Sequence, residues 1–194
     1  MLQYLVILGA AVNLGGSFFY IKNTLFGETK PNRVSWLMWS IAPMIATAAA
    51  LAQGVTWAVL PVFMSGFVPL IIFIASFINK KAYWKLGAFD YACGLLSALA
   101  LILWAITKEP NVAIVFAIMS DGLAAVPTLI KSWKHPESES VVVFTTGLFS
   151  ALTSFAAIKI WGFAELAFPI YLTLMCSSLI FALERRKILV NFKI

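Results

Sequence analysis

Seven long apolar runs, separated by short loops that are alternately basic and nearly free of basic residues, constrain this chain more than any other feature. The runs cover roughly 2–20, 34–52, 57–79, 86–107, 111–130, 141–158 and 160–183. About 20 apolar residues carry a helix across the hydrocarbon core of a bilayer. Lipid offers no partner for backbone N–H and C=O, so only helices or closed barrels can span it. The alternating polar and apolar strands of a barrel are absent. The expectation is an all-α membrane protein with seven transmembrane helices.

Composition supports that expectation. Of 194 residues, 62% are hydrophobic and only 11% charged, with a mean hydropathy of +0.95. A soluble domain has about a quarter of its residues charged. A fold of this size keeps much of its surface exposed, so the apolar excess has to face lipid, and the bilayer is the expected partner. The net charge of +6 does not point to nucleic acid, because the basic residues sit in clusters between apolar runs and not on one hydrophilic face. The run from Leu2 to Tyr20 has no basic n-region and no small-x-small cleavage pattern, so it reads as a span and not as a signal peptide. Cys93 and Cys176 lie inside apolar runs and read as small packing residues. With one His and no Cys/His cluster, neither a metal site nor a cofactor is expected.

Basic residues set the direction of insertion. In a seven-span chain Lys22, Lys30, Arg33, Lys80, Lys81, Lys85, Lys131, Lys134, Arg185, Arg186, Lys187 and Lys193 share one side, twelve of the fourteen; only Lys108 and Lys159 fall on the other. The expected topology is N-terminus outside and C-terminus in the cytoplasm. A short chain without a long tail suggests the cytoplasmic (inner) membrane of a bacterium or archaeon.

The chain also carries signs of an internal repeat. A shift of 109 pairs Ile21-Lys22 with Ile130-Lys131 and Glu28-Thr29 with Glu137-Ser138; a shift of 104 pairs Trp57 with Trp161, Phe77 with Phe181 and Lys81 with Arg185. The layout implied is 3+1+3: a first three-helix bundle (1–81), a linker transmembrane helix (82–110), a second three-helix bundle (111–187) and a cytoplasmic tail (188–194). An odd helix between the triplets makes them run the same way, as a parallel repeat about an axis along the membrane normal.

At Val126-Pro127-Thr128-Leu129-Ile130-Lys131-Ser132-Trp133-Lys134 the chain resembles the SWEET / PQ-loop (MtN3-like) family of transporters, as a divergent prokaryotic-type member. The stretch is similar to the family's Pro-Gln-x-x-Lys signature at the cytoplasmic end of a triplet's first helix, with Thr128 in place of Gln. The first triplet has Phe18-Phe19 where the family carries Pro-Gln. The resemblance implies the 3+1+3 fold, the N-out, C-in orientation and transport. Sugar-transporting members carry paired Asn residues in the third helix of each triplet; spans 3 and 7 have no central Asn, so the resemblance does not extend to a sugar.

Polar groups in the bilayer core are costly and therefore functional candidates. Asp121 lies ten residues from Lys131, roughly 15 Å along a helix and near the midplane. Asn13 lies at nearly the same depth in the matching helix. Asp121 could bind a cationic or polyhydroxyl solute, or carry a proton during the cycle; the bland alternative is a hydrogen bond between helices. Trp36 and Trp39 share a helix face and could stack on a solute, although an interfacial belt would also explain them. Trp57, Trp84, Trp104, Trp133 and Trp161 read as belt anchors. Glu165, near the outer end of span 7, could extend an acidic route to Asp121, and Asp90 could reach an interface. Pro43, Pro61, Pro69, Pro127 and Pro169 fall inside spans. Kinks at Pro43 and Pro127 would suit rocking, and Gly15-Gly16 could supply flexibility in span 1. Ser140 could cap span 6, and His135 reads as a solvated loop residue.

The expected function is transport of a small polar solute by alternating access, with no enzymatic role. The competing reading is a receptor or scaffold on the same fold. A retinal protein would need a Schiff-base Lys inside span 7, which has none. No nucleophile–base pair or metal cluster sits at convincing spacing for an enzyme. A homo-oligomer is compatible with the sequence.

Overall fold

The computed structural model describes residues 4–107 and 109–191, without the side chains at 100, 104 and 186–191. The belt role read for Trp104, the turn at Lys108 and the basic residues Arg186, Lys187 and Lys193 lie outside the described residues. Seven α-helices follow one another: α1 (Leu5–Phe26), α2 (Arg33–Ala52), α3 (Val59–Ala75), α4 (Ala88–Thr107), α5 (Pro110–Lys134), α6 (Val141–Phe155) and α7 (Phe163–Asn191). Among the described residues there is no strand. Five helices, α1, α2, α4, α5 and α7, are long and apolar enough to cross a membrane. The chain is a multi-pass membrane protein. The helices α3 and α6 are apolar but shorter, at 17 and 15 residues.

Local chemistry sets the helix ends. Gly27 closes α1 in the left-handed region (φ 82°) and its N–H returns to the carbonyls of Asn23 and Thr24. Asn32 opens α2 by accepting from the N–H groups of Val34 (3.1 Å) and Ser35 (3.3 Å). Pro110 begins α5, where the missing N–H costs nothing. Asp90 caps the first turn of α4: it accepts from the N–H of Gly87 at 2.6 Å and from the Asn32 side chain at 2.6 Å, which ties α4 to α2. Ser140 occupies the capping position of α6, but its hydroxyl makes no capping bond. Pro61 falls in the first turn of α3, whose N–H groups have no intrahelical partner to lose; Pro43, Pro69, Pro127 and Pro169 are interior.

Within the first three helices, α3 packs between α1 and α2; within the last three, α7 packs between α5 and α6. The two sets meet along α1–α6 and α2–α5, and α4 lies on α5 and the edge of α2. Burial of apolar groups does not drive helices together in lipid, so close approach has to. Gly16 lets α1 reach α6: a Cβ there would stand 2.1 Å from Oγ1 of Thr146. Gly9, two turns earlier, makes the same approach to Thr153, and Gly94 lets α4 reach Val34 of α2. The outward faces are apolar, with Leu8, Phe18, Phe19, Leu95, Ile102 and Leu174 all exposed.

Candidate functional site

A cavity of about 60 Å³ lies at the centre of the bundle, where α1, α2, α3, α5, α6 and α7 converge. It has room for roughly four waters. Asn13, Trp36, Trp39 and Asp121 all line it, so four of the five candidate solute contacts come together. Glu165 does not line it. That carboxylate is buried near the opposite end of α7, where it accepts the backbone N–H of Lys159 at 2.7 Å and steadies the α6–α7 loop.

Asp121 is 1% exposed. Its Oδ2 accepts a hydrogen bond from the Tyr171 hydroxyl of α7 at 2.6 Å, and its backbone carbonyl accepts from the Trp39 indole N–H at 3.1 Å. The Trp39 bond crosses from α2 to α5, the two helices that join the halves of the bundle. Trp36 and Trp39 are 2% and 3% exposed, so they are core residues and not the interfacial belt that sequence allowed for Trp36. With Phe144 they form one aromatic wall: Trp36–Trp39 centroids are 5.2 Å apart, Trp39–Phe144 6.2 Å and Trp36–Phe144 6.4 Å. Asn13 is buried against the cavity, and its amide makes no hydrogen bond among the described residues.

One offset relates much of the lining. Asn13 and Asp121, Trp36 and Phe144, Trp39 and Gly147, Met64 and Leu172, and Val68 and Cys176 are each 108 positions apart, and all ten line the cavity. The same offset sets Phe63 against Tyr171. Phe63 has no hydroxyl, so Asn13 lacks the counterpart of the bond that Asp121 receives.

A second polar cluster, which sequence reasoning missed, closes the bundle at the end that carries Lys30 and Lys131. Lys131 and Glu139 form an ion pair at 2.6 Å with side chains 1% and 0% exposed. The Tyr20 hydroxyl of α1 donates to the other carboxylate oxygen of Glu139 at 2.5 Å. The Lys131 ammonium also donates to the carbonyl of Lys30 and lies 4.8 Å from the centre of the Trp84 ring. Trp84 thus covers the ion pair, whereas Trp57, Trp133 and Trp161 are exposed. Nearby, Thr128 donates to Ser35 at 2.8 Å and Ser35 to the carbonyl of Ala124 at 2.6 Å. Apart from the Lys131–Glu139 pair, whose partners are eight residues apart, these contacts join elements distant in sequence. The signals were present but ambiguous: Lys131 looked like one more interfacial base, and Tyr171 like one more aromatic in an apolar run. His135 is exposed and lies 3.4 Å from Glu137.

The expected hinge residues occupy different settings. Gly15 is exposed with open space around it, whereas Gly16 is a packing contact with α6. Pro43 and Pro127 are buried within α2 and α5, and Pro127 lies one turn before Lys131.

No protein-family model, no curated protein and no solved structure matches this chain.

Proposed function

We propose that this protein is a small-solute transporter of the SWEET / PQ-loop type that works by alternating access around Asp121. The observation that carries the reading is a buried carboxylate facing a cavity at the junction of two helix sets. An ionisable group in a membrane interior is expensive and is characteristic of substrate or proton pathways. Asp121 would bind the solute, carry a proton in exchange for it, or both.

The architecture we propose is 3+1+3, with two parallel triplets joined by α4. Its support is the exchange of neighbours. The contact of α1 with α6 corresponds to that of α5 with α2, and α3 sits in its triplet as α7 does in its own. The offset of 108 shared by ten of the fifteen lining residues supports the same pseudo-twofold axis. On this reading α3 and α6 also cross the bilayer, with the turns at their ends and local thinning making up the length. The N-terminus is outside and the C-terminus in the cytoplasm, in keeping with the distribution of basic residues. The Lys131–Glu139–Tyr20 cluster then seals the cytoplasmic end.

Rocking of one triplet against the other would break Tyr20–Glu139 and the Lys131–Lys30 contact together. The test is flux in reconstituted vesicles, using a panel of labelled sugars, amino acids and amines. Asp121→Asn is expected to abolish or uncouple uptake at unchanged expression. Normal uptake by that variant would remove Asp121 from the mechanism. Saturable binding without flux, in the unaltered protein, would favour a receptor instead.

A further inference from the structure

The cavity has one charged side chain and a defined balance of other chemistry. Asp121 supplies a carboxylate whose Oδ2 is engaged by Tyr171 and whose Oδ1 has no partner among the described residues. Among the described residues no basic side chain lines the cavity. Lys131 lies ten residues further along α5, roughly 15 Å away, and is already paired with Glu139. A solute anion would meet an acidic group with nothing to neutralise it.

A polyhydroxyl solute is disfavoured for a different reason. Ser65 already donates to the carbonyl of Val62 at 2.7 Å. That leaves Asn13, Asp121 and the indole N–H of Trp36, unpartnered among the described residues, to meet several hydroxyls, and each unsatisfied buried hydroxyl costs about 1–3 kcal/mol. The remaining lining is aromatic, thioether and aliphatic: Trp36, Trp39, Phe144, Met64 and Met175 among them. Aromatic faces attract cations.

Resting on the transporter reading of the same site, we infer that the cavity takes a small monovalent organic amine. Its ammonium group pairs with Asp121 and its alkyl part lies on the Trp36–Trp39–Phe144 wall. The same carboxyl holds a proton when the amine is absent. Balance is simple: one ammonium enters, the acid form of Asp121 becomes carboxylate, and one proton leaves. Because the two cations exclude each other at one group, the pair is an exchange couple. Room for roughly four waters suits an amine of about four to six heavy atoms.

The titratable groups that face Asp121 are Tyr171 and Cys176, both on α7. Charged side chains on the helices packed against α5 lie towards the helix ends: Arg33 on α2, Asp90 on α4, and Glu165, Glu184 and Arg185 on α7. Proton competition at the cavity therefore belongs to Asp121.

Cys176 lines the cavity and reports its occupancy. In full-length protein carrying Cys93→Ser, the rate of Cys176 alkylation by N-ethylmaleimide is measured in nanodiscs with butylammonium, 1-butanol, butyrate or glucose. These probes compare one alkyl chain bearing positive, neutral and negative ends, together with a sugar. Butylammonium is expected to slow labelling at least tenfold at concentrations where the other three have no effect. Its half-protecting concentration should rise as pH falls, by up to tenfold per unit once the acid form dominates. Asp121→Asn should remove the protection. Equal protection by 1-butanol, protection by butyrate or glucose in place of the amine, or no protection by any probe would each overturn the assignment, and the charge series on the unaltered Asp121 decides even if the variant misfolds. Protection without flux in vesicles would leave the amine site standing and remove transport instead.

Discussion

At the scale of single residues, two buried carboxylates do different work. Asp121 keeps one oxygen open to a cavity, whereas both oxygens of Glu139 are engaged, by Lys131 and Tyr20. Tyr171→Phe removes one hydrogen bond and little volume. A hydrogen bond to a charged group is worth about 1.5–3 kcal/mol, so uptake in the vesicle assay is expected to fall about tenfold or more while the protein stays folded. Unchanged uptake would make Tyr171 a bystander. Glu139→Gln strands the Lys131 ammonium in a buried site, a change that costs about 3–5 kcal/mol when one partner of such a pair is lost. Thermal unfolding in detergent should show a large loss for this variant and recovery of most of it in Lys131→Met/Glu139→Gln. Additive losses would mean that the pair is not coupled. Asp121, Asn13, Trp36 and Trp39 were legible because a polar or indole group interrupting an apolar run stands out. Tyr171 and Phe144 were not, because an aromatic residue in a membrane helix faces lipid, protein or cavity with the same local sequence.

At the scale of elements, several helix ends obey local rules, although the cap expected at Ser140 does not form; the helix faces do not. Gly27, Asn32 and Pro110 act where their chemistry predicts. The neighbouring pair Gly15 and Gly16 read as a flexible joint, yet only one of them touches another helix. This supplies a paired test. Gly16→Val drives a branched side chain into Thr146 and should lower the melting temperature by several degrees, since overpacking costs about 1–3 kcal/mol. Gly15→Val points into open space and should change it little. A similar loss from both would assign the effect to helix flexibility and not to contact with α6.

At the scale of the whole molecule, two helix sets meet around the cavity that Asp121 lines and around the buried Lys131–Glu139 pair. On the proposed topology a cysteine placed at Gly54, between α2 and α3, labels from outside with an impermeant maleimide. One placed at Lys81, between α3 and α4, labels only after the membrane is opened. Labelling of both from the same side would show that α3 does not cross, and the 3+1+3 reading would fall with it.

Apolar run length by itself determined that this is an all-helical multi-pass membrane protein, because runs that long must lie in lipid and lipid leaves the backbone no partner but its own helix. It also singled out Asp121 as a charged group inside an apolar run. Sequence matching suggested the repeat with two different offsets, 109 and 104, since similarity among apolar helices is dominated by composition. Only the tertiary structure showed that ten of the fifteen lining residues pair at one offset of 108, gave Asp121 its Tyr171 partner, left Glu165 out of the cavity and joined Tyr20, Lys131 and Glu139. Those facts depend on which face of each helix turns inward, and packing between distant helices decides that.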